Sequence, residues 1–86
     1  MGKFENILLL VLSGASDQNI PFSDLCWLLK RLRFDERIRG SHHIFTRENI
    51  VEIINIQPKG KDAKPYQVKQ VRNIILKYKL RGNYAK

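Results

Sequence analysis

The order in which the hydrophobic period changes along this chain constrains its fold more than any single motif. Phe4, Ile7, Leu8, Val11 and Leu12 recur at helical spacing, and Leu25, Leu28, Leu29 and Leu32 do so again. Between residues 34 and 56 the period falls to two: Phe34, Glu36 and Ile38 alternate with Asp35, Arg37 and Arg39, and Ile50 to Ile56 is rich in β-branched side chains. The helical period then returns, with Tyr66, Val68, Val71, Ile75 and Tyr78 on one stripe and Lys69, Gln70, Asn73 and Lys77 opposite. These segments predict α-α-β-β-β-α. The last five elements form an α+β unit, two helices packed on one face of a three-stranded antiparallel sheet.

Local signals set the expected boundaries. Gly14 closes a first helix over 3–13, and Ala15 to Ile20 reads as a polar connection. Ser23 serves as N-cap of a second helix over 24–33, with Pro21 ahead of it, Asp24 in its first turn and Lys30, Arg31 and Arg33 at its end. Gly40 breaks the first strand. Gly40-Ser41-His42-His43-Ile44-Phe45 reads as the next strand, with His42, Ile44 and Thr46 on one face and Ser41, His43 and Phe45 on the other. Arg47-Glu48-Asn49 is a polar hairpin turn, and Pro58 ends the third strand. Lys59-Gly60-Lys61-Asp62-Ala63-Lys64 is a basic loop, Pro65 opens the last helix, and that helix stops before Gly82.

Composition bounds the function. Eighty-six residues make one domain, 1–86, with residues 1–16 as an extra helix and connection and 22–80 as the α-β-β-β-α unit. One cysteine, Cys26, excludes an intrachain disulfide, and no Cys/His spacing suits a structural zinc site, so neither metal nor cofactor is expected. The apolar run Ile7 to Leu12 is too short for the core of a signal peptide and far below the roughly 20 residues of a membrane span. The expectation is a cytoplasmic protein with a buried N-terminal helix and no membrane contact.

The net charge of +8 is unevenly placed. Residues 1–29 carry Lys3 against Glu5, Asp17 and Asp24; residues 30–86 carry fifteen basic side chains against five acidic ones. Such excess is an electrostatic footprint for phosphate. Both histidines lie side by side in that basic part, and an imidazole of ordinary pKa near 6.5 exchanges protons around neutrality. The combination suggests proton transfer on a polyanion.

Glycine-serine-histidine on a middle strand, in this element order, resembles the HicA family of toxins from bacterial and archaeal toxin–antitoxin systems. The resemblance covers roughly residues 22–80. It includes Leu32 and Phe34 after the opening helix, Gly40-Ser41-His42 with Phe45 behind it, Pro58-Lys59-Gly60-Lys61, and Val71-Arg72-Asn73-Ile74-Ile75-Leu76 in the closing helix. It implies a fold similar to double-stranded-RNA-binding domains and ribosome-independent cleavage of messenger RNA by the histidine after the Gly-Ser pair, here His42. It also implies a HicB antitoxin that covers the active site. Two features depart from the family: the additional helix at 3–13, and Gln57-Pro58 where many relatives have a basic or histidine residue before the proline.

Cleavage of that kind needs a base for the 2′-hydroxyl, an acid for the leaving 5′-oxygen and cations around the phosphorus. His42 supplies proton transfer; Arg39, Lys59, Lys61 and Lys64 are candidates for the charge. Ser41 either orients the imidazole or a phosphate, or simply fills a small strand position. Lys30, Arg31 and Arg33 add charge for RNA at the end of the second helix, and Trp27 and Tyr84 are candidates for base stacking, Trp27 also having the phase of a core residue. Two other readings remain open: an RNA-binding module without catalysis, and a protein-interaction partner whose basic face meets an acidic protein.

Overall fold

The change of period along the chain is reproduced in the element order of the computed structural model, which describes residues 2–81. Gly82 and Tyr84 lie outside the described residues. Helix α1 spans Lys3–Ser13, held at its start by Glu5, whose Oε1 accepts the Gly2 amide at 3.1 Å, and closed by Gly14 at φ 73°. Its buried stripe, Phe4, Ile7 and Val11, joins the same apolar cluster as Leu25, Leu28 and Leu29 of the second helix and Val68, Val71 and Ile75 of the last. The N-terminal helix is therefore part of the core, with Leu9 and Leu10 left on its outer side.

The connection after α1 contains a 3₁₀ turn, Asp17–Asn19, that the sequence pattern does not announce. Arg72 from the last helix explains it. Its guanidinium donates to Asp17 Oδ1 and Oδ2 at 2.9 and 3.1 Å and to the Val11 carbonyl at 3.1 Å. One side chain thus satisfies the end of α1 and fixes the turn that follows.

Helix α2 spans Phe22–Arg31 rather than 24–33. Pro21, not Ser23, stands at its N-cap, and its carbonyl accepts the amides of Asp24 and Leu25. Phe22 can enter the helix because its own amide is satisfied elsewhere, by the Lys61 carbonyl at 2.9 Å. At the other end Arg33 turns left-handed (φ 73°), which sends Phe34 back toward the core.

Strands β1 (Asp35–Arg39), β2 (His42–Arg47) and β3 (Ile50–Ile56) form an antiparallel sheet in that order, with the helices on one face. Glu36 pairs with Phe45, and Phe45 with Ile54, on the inner face; Phe45, Ile54 and Ile56 are fully buried. Arg39 pairs directly with His42, so Gly40 and Ser41 form a two-residue turn. Gly40 at φ 59° supplies the positive φ that the first position of a type II′ hairpin needs. Ser41 therefore lies in the turn and fills no strand position. Asn49 takes φ 73° in the β2–β3 turn, where the pairing slips between Phe45 and Arg47.

The expected basic loop is a small hairpin, β4 (Pro58–Lys59) and β5 (Asp62–Ala63), turning at Gly60 (φ 64°). It is stitched to the start of α2 by the Pro21–Asp62 bridge and by the Ala63 amide on the Ile20 carbonyl at 2.9 Å. Buried Gln67 turns its amide to the backbone N–H and C=O of Gln57, bonding each at 3.1 Å, and so fixes the link between β3 and β4. Helix α3 spans Pro65–Tyr78. It ends ahead of Gly82 because Lys79 goes left-handed (φ 55°) and Leu80 tucks into the core, its amide on the Ile75 carbonyl at 3.0 Å. No helix among the described residues is long and apolar enough to cross a membrane.

Glu52 ties β3 to the end of α3, accepting from Lys77 at 2.7 Å and from the Tyr78 hydroxyl at 2.6 Å. The Lys77 ammonium, then the Tyr78 hydroxyl, lower its carboxyl to about 2, and a hydrogen bond from His43, then one from Lys30, also lowers Glu36. Both folded-state values lie below the unfolded value of about 4.3, so the unfolded chain binds more protons as pH drops. Their stabilisation is present above that value and is lost as pH falls through the folded values. The melting midpoint should therefore fall between about pH 5 and pH 2. Glu52→Gln should flatten that acid limb in a thermal series across pH; an unchanged limb would remove Glu52 from the account.

Candidate active site on the open face of the sheet

The strand period places the two histidines in different surroundings. His43 points inward. Its Nδ1 lies 2.7 Å from Glu36 Oε2 and 4.0 Å from Cys26 Sγ, and its ring meets the Phe22 ring edge-on at 4.9 Å. His42 points outward and is exposed. Its Nδ1 lies 3.1 Å from Asn55 Oδ1 on β3. An amide oxygen only accepts, so in this contact Nδ1 is the donor, and Nε2 is the ring nitrogen left without a partner in it.

Arg39 stands across the ladder from His42, and Arg37 shares its face two positions back, opposite Ile44. Among the described residues no ion pair or hydrogen bond engages either guanidinium, and both line an open cleft on this face with Asp35, Ile44 and Thr46. Ser41 Oγ accepts from Gln57 Nε2 at 3.2 Å, which ties the Gly40-Ser41 turn to the strand end. Val51 and Ile53, 83% and 61% exposed, are the large apolar side chains that β3 leaves in water.

The other basic candidates are placed differently. Lys59 lines a cleft with Gln18, Asp62, Ala63 and Pro65, Lys61 sits in the hairpin turn, and Lys64 precedes α3. Gln57 links their hairpin to Ser41, yet among the described residues no hydrogen bond joins any of the three to His42. Lys30 is paired with Glu36 at 3.3 Å, and the Arg31 guanidinium lies 5.2 Å from both the Phe4 and Trp27 ring centres. Those two charges of α2 are thus engaged within the protein. Trp27 packs against the core beneath Lys3, whose ammonium is 4.5 Å from the ring centre, so it is no free stacking platform.

Two side chains of this face escape the sequence reading. Arg37 was legible in the alternation of β1, which puts it beside Arg39. Asn55 left a fainter signal, a polar residue in an otherwise branched apolar strand, and its meeting with His42 depends on strand register.

Comparison with known proteins follows the same elements. A family model described as the HicA toxin of bacterial toxin–antitoxin systems matches residues 22–78, from the start of α2 to the end of α3, and leaves α1 outside. No curated protein and no solved structure matches the chain.

Proposed function

The chain belongs to the HicA toxin family of bacterial toxin–antitoxin systems, and from this premise we propose that it cleaves messenger RNA on the open sheet face with His42 as the proton-transfer group. The observation that carries the proposal is the His42–Asn55 contact, which holds the exposed imidazole through Nδ1 on the face that also carries the unengaged guanidinium groups of Arg39 and Arg37. In the proposed reaction Nε2 takes the proton of a ribose 2′-hydroxyl. The 2′-oxygen attacks the adjacent phosphorus, the P–O5′ bond breaks, and the 5′-oxygen takes a proton from water or from the imidazolium. The products are a 2′,3′-cyclic phosphate and a 5′-hydroxyl end. Arg39 and Arg37 stabilise charge on the non-bridging oxygens. Ser41, Lys59, Lys61 and Lys64 hold the strand further along. Incubation of purified protein with messenger RNA in chelator tests this: cyclic-phosphate ends support it, whereas RNA binding without cutting leaves a binding module.

Asn55 is a positioning residue in this scheme. A hydrogen bond to a charged group contributes about 1.5–3 kcal/mol, so Asn55→Ala should lower kcat by roughly 10–100-fold with little change in KM. Asn55→Asp should keep the orientation but favour the imidazolium, moving the pH–rate profile to higher pH. An unmoved profile would show that Asn55 does not act through His42.

The same face suits the antitoxin, taken here to be HicB-like. Arg37 and Arg39 on β1 call for acidic groups, and exposed Val51 and Ile53 offer an apolar anchor on β3, at the opposite edge of the sheet. For RNA, each phosphate contact contributes about 0.7 to the salt slope of log affinity on single strands. Arg37→Ala with Arg39→Ala should therefore flatten the slope by about 1.4. The Lys59, Lys61 and Lys64 triple alanine variant measures the hairpin's share in the same titration. Identical slopes in all three proteins would assign the charge to an ordinary solvated surface.

A further inference from the structure

The inner face of the same β1–β2 hairpin holds a second group of chemically capable side chains, which neither the cleavage scheme nor the antitoxin contact uses. Cys26 comes from α2, Glu36 from β1 and His43 from β2, and their Sγ, carboxylate oxygen and ring nitrogen all lie within 4.8 Å of one another. We propose that Cys26, Glu36 and His43 form a binding site for one thiophilic divalent metal ion of the zinc type.

The donor set selects the metal. A thiolate, an imidazole and a carboxylate suit zinc, whereas calcium and magnesium take oxygen ligands. Zinc bonds of about 2.0–2.3 Å in a tetrahedron place ligand atoms roughly 3.2–3.7 Å apart. The observed separations bracket that range: 2.7 Å from His43 Nδ1 to Glu36 Oε2, 4.0 Å from the same nitrogen to Cys26 Sγ. Small side-chain shifts of Glu36 and His43, both only partly buried, complete the set.

The surroundings favour an ion that enters from solvent. An open cleft of about 410 Å³ reaches these three side chains between Phe22, Trp27, Lys30 and Pro58, leaving room for a water as fourth ligand. Lys30, the other charged side chain lining it, holds Glu36 Oε1 at 3.3 Å and so leaves Oε2 for the metal. Phe22, edge-on to the imidazole, fixes its ring plane. Without metal, burial, and then the Glu36 charge, push the Cys26 thiol up to about 12, so this cysteine is no free nucleophile. The site joins α2 to both strands of the hairpin, so an ion bound there braces the scaffold under His42 without touching RNA.

Cobalt(II) is the probe, because a cobalt–thiolate bond has a charge-transfer absorption in the near ultraviolet and the chain has a single cysteine. Full-length protein stripped with chelator and titrated with cobalt should develop that band at one ion per chain. Zinc should displace it and raise the melting midpoint. Cys26→Ala should lose the band. His43→Ala and Glu36→Gln should weaken affinity by at least the roughly 10–100-fold typical of losing an outer-sphere partner. His42→Ala should bind as wild type, which separates this site from the exposed imidazole. No band in folded wild-type protein overturns the proposal, whether or not any variant folds. Equal zinc affinity in wild type, His43→Ala and Glu36→Gln overturns it as well.

Discussion

His42→Ala should abolish the proposed RNA cleavage and growth arrest while the protein keeps its helix-and-sheet spectrum and its melting midpoint. The expected loss in rate is about 10²–10⁴-fold, the contribution of a positioned general acid–base group. The fold should survive because His42 is exposed and its side-chain hydrogen bond, to Asn55, lies at the surface. His43→Ala has the opposite signature. It removes the hydrogen bond to Glu36 and the edge contact with Phe22, so it should lower stability and leave the proposed cleavage nearly intact. Paired assays of cleavage and thermal unfolding on the two variants decide the assignment. Full cleavage by folded His42→Ala would end it.

Deleting residues 1–13 should unfold the protein. Phe4, Ile7 and Val11 are 6%, 6% and 0% exposed. Burying side chains of this kind contributes about 1.5–3 kcal/mol each, so the three together match the 5–15 kcal/mol by which whole domains are stable. The deletion also takes away the Val11 carbonyl that Arg72 uses and opens the faces of α2 and α3 beneath the helix. This goes further than a supplementary helix would allow, although the family match begins only at residue 22. Arg72→Met is the milder companion, at about 1.5–3 kcal/mol for lost charge-assisted hydrogen bonds. Denaturant unfolding of the three proteins checks the order. A truncated chain that unfolds cooperatively with near-native stability would make α1 an accessory.

Stripes and alternations were readable from the sequence because they are local: α1 and α3 follow their apolar spacing, and β2 faces the two histidines apart as its period of two requires. The failures lie where a distant partner decides. Ser23 looks like an N-cap until the Lys61 carbonyl accepts the Phe22 amide and lets the helix begin earlier. Asp17 looks like loop until Arg72 reaches it. Lys30 and Arg31 look like a nucleic-acid footprint until Glu36 and the Phe4–Trp27 pair engage them. Lys59-Gly60-Lys61 carried its turn signal openly, but strands of two residues leave no periodicity to detect. The open face was legible through Arg39 and His42, while Asn55 waited on the register of β3.

The histidine doublet behind the tight Gly40-Ser41 turn also makes the face a matter of parity. A hairpin turn longer by one residue would rotate β2 by half a pleat and present His43 to solvent in place of His42. An imidazole would still face outward, so the doublet by itself does not count the residues in the turn. Phe45 does. The same rotation would carry a fully buried ring into water and bring Ile44 and Thr46 under the helices. Phe45 is thus the residue that tells the two histidines apart, although it is fully buried. Exchanging Ile44 with Phe45 would erase that distinction and leave the chain a choice of two imidazoles.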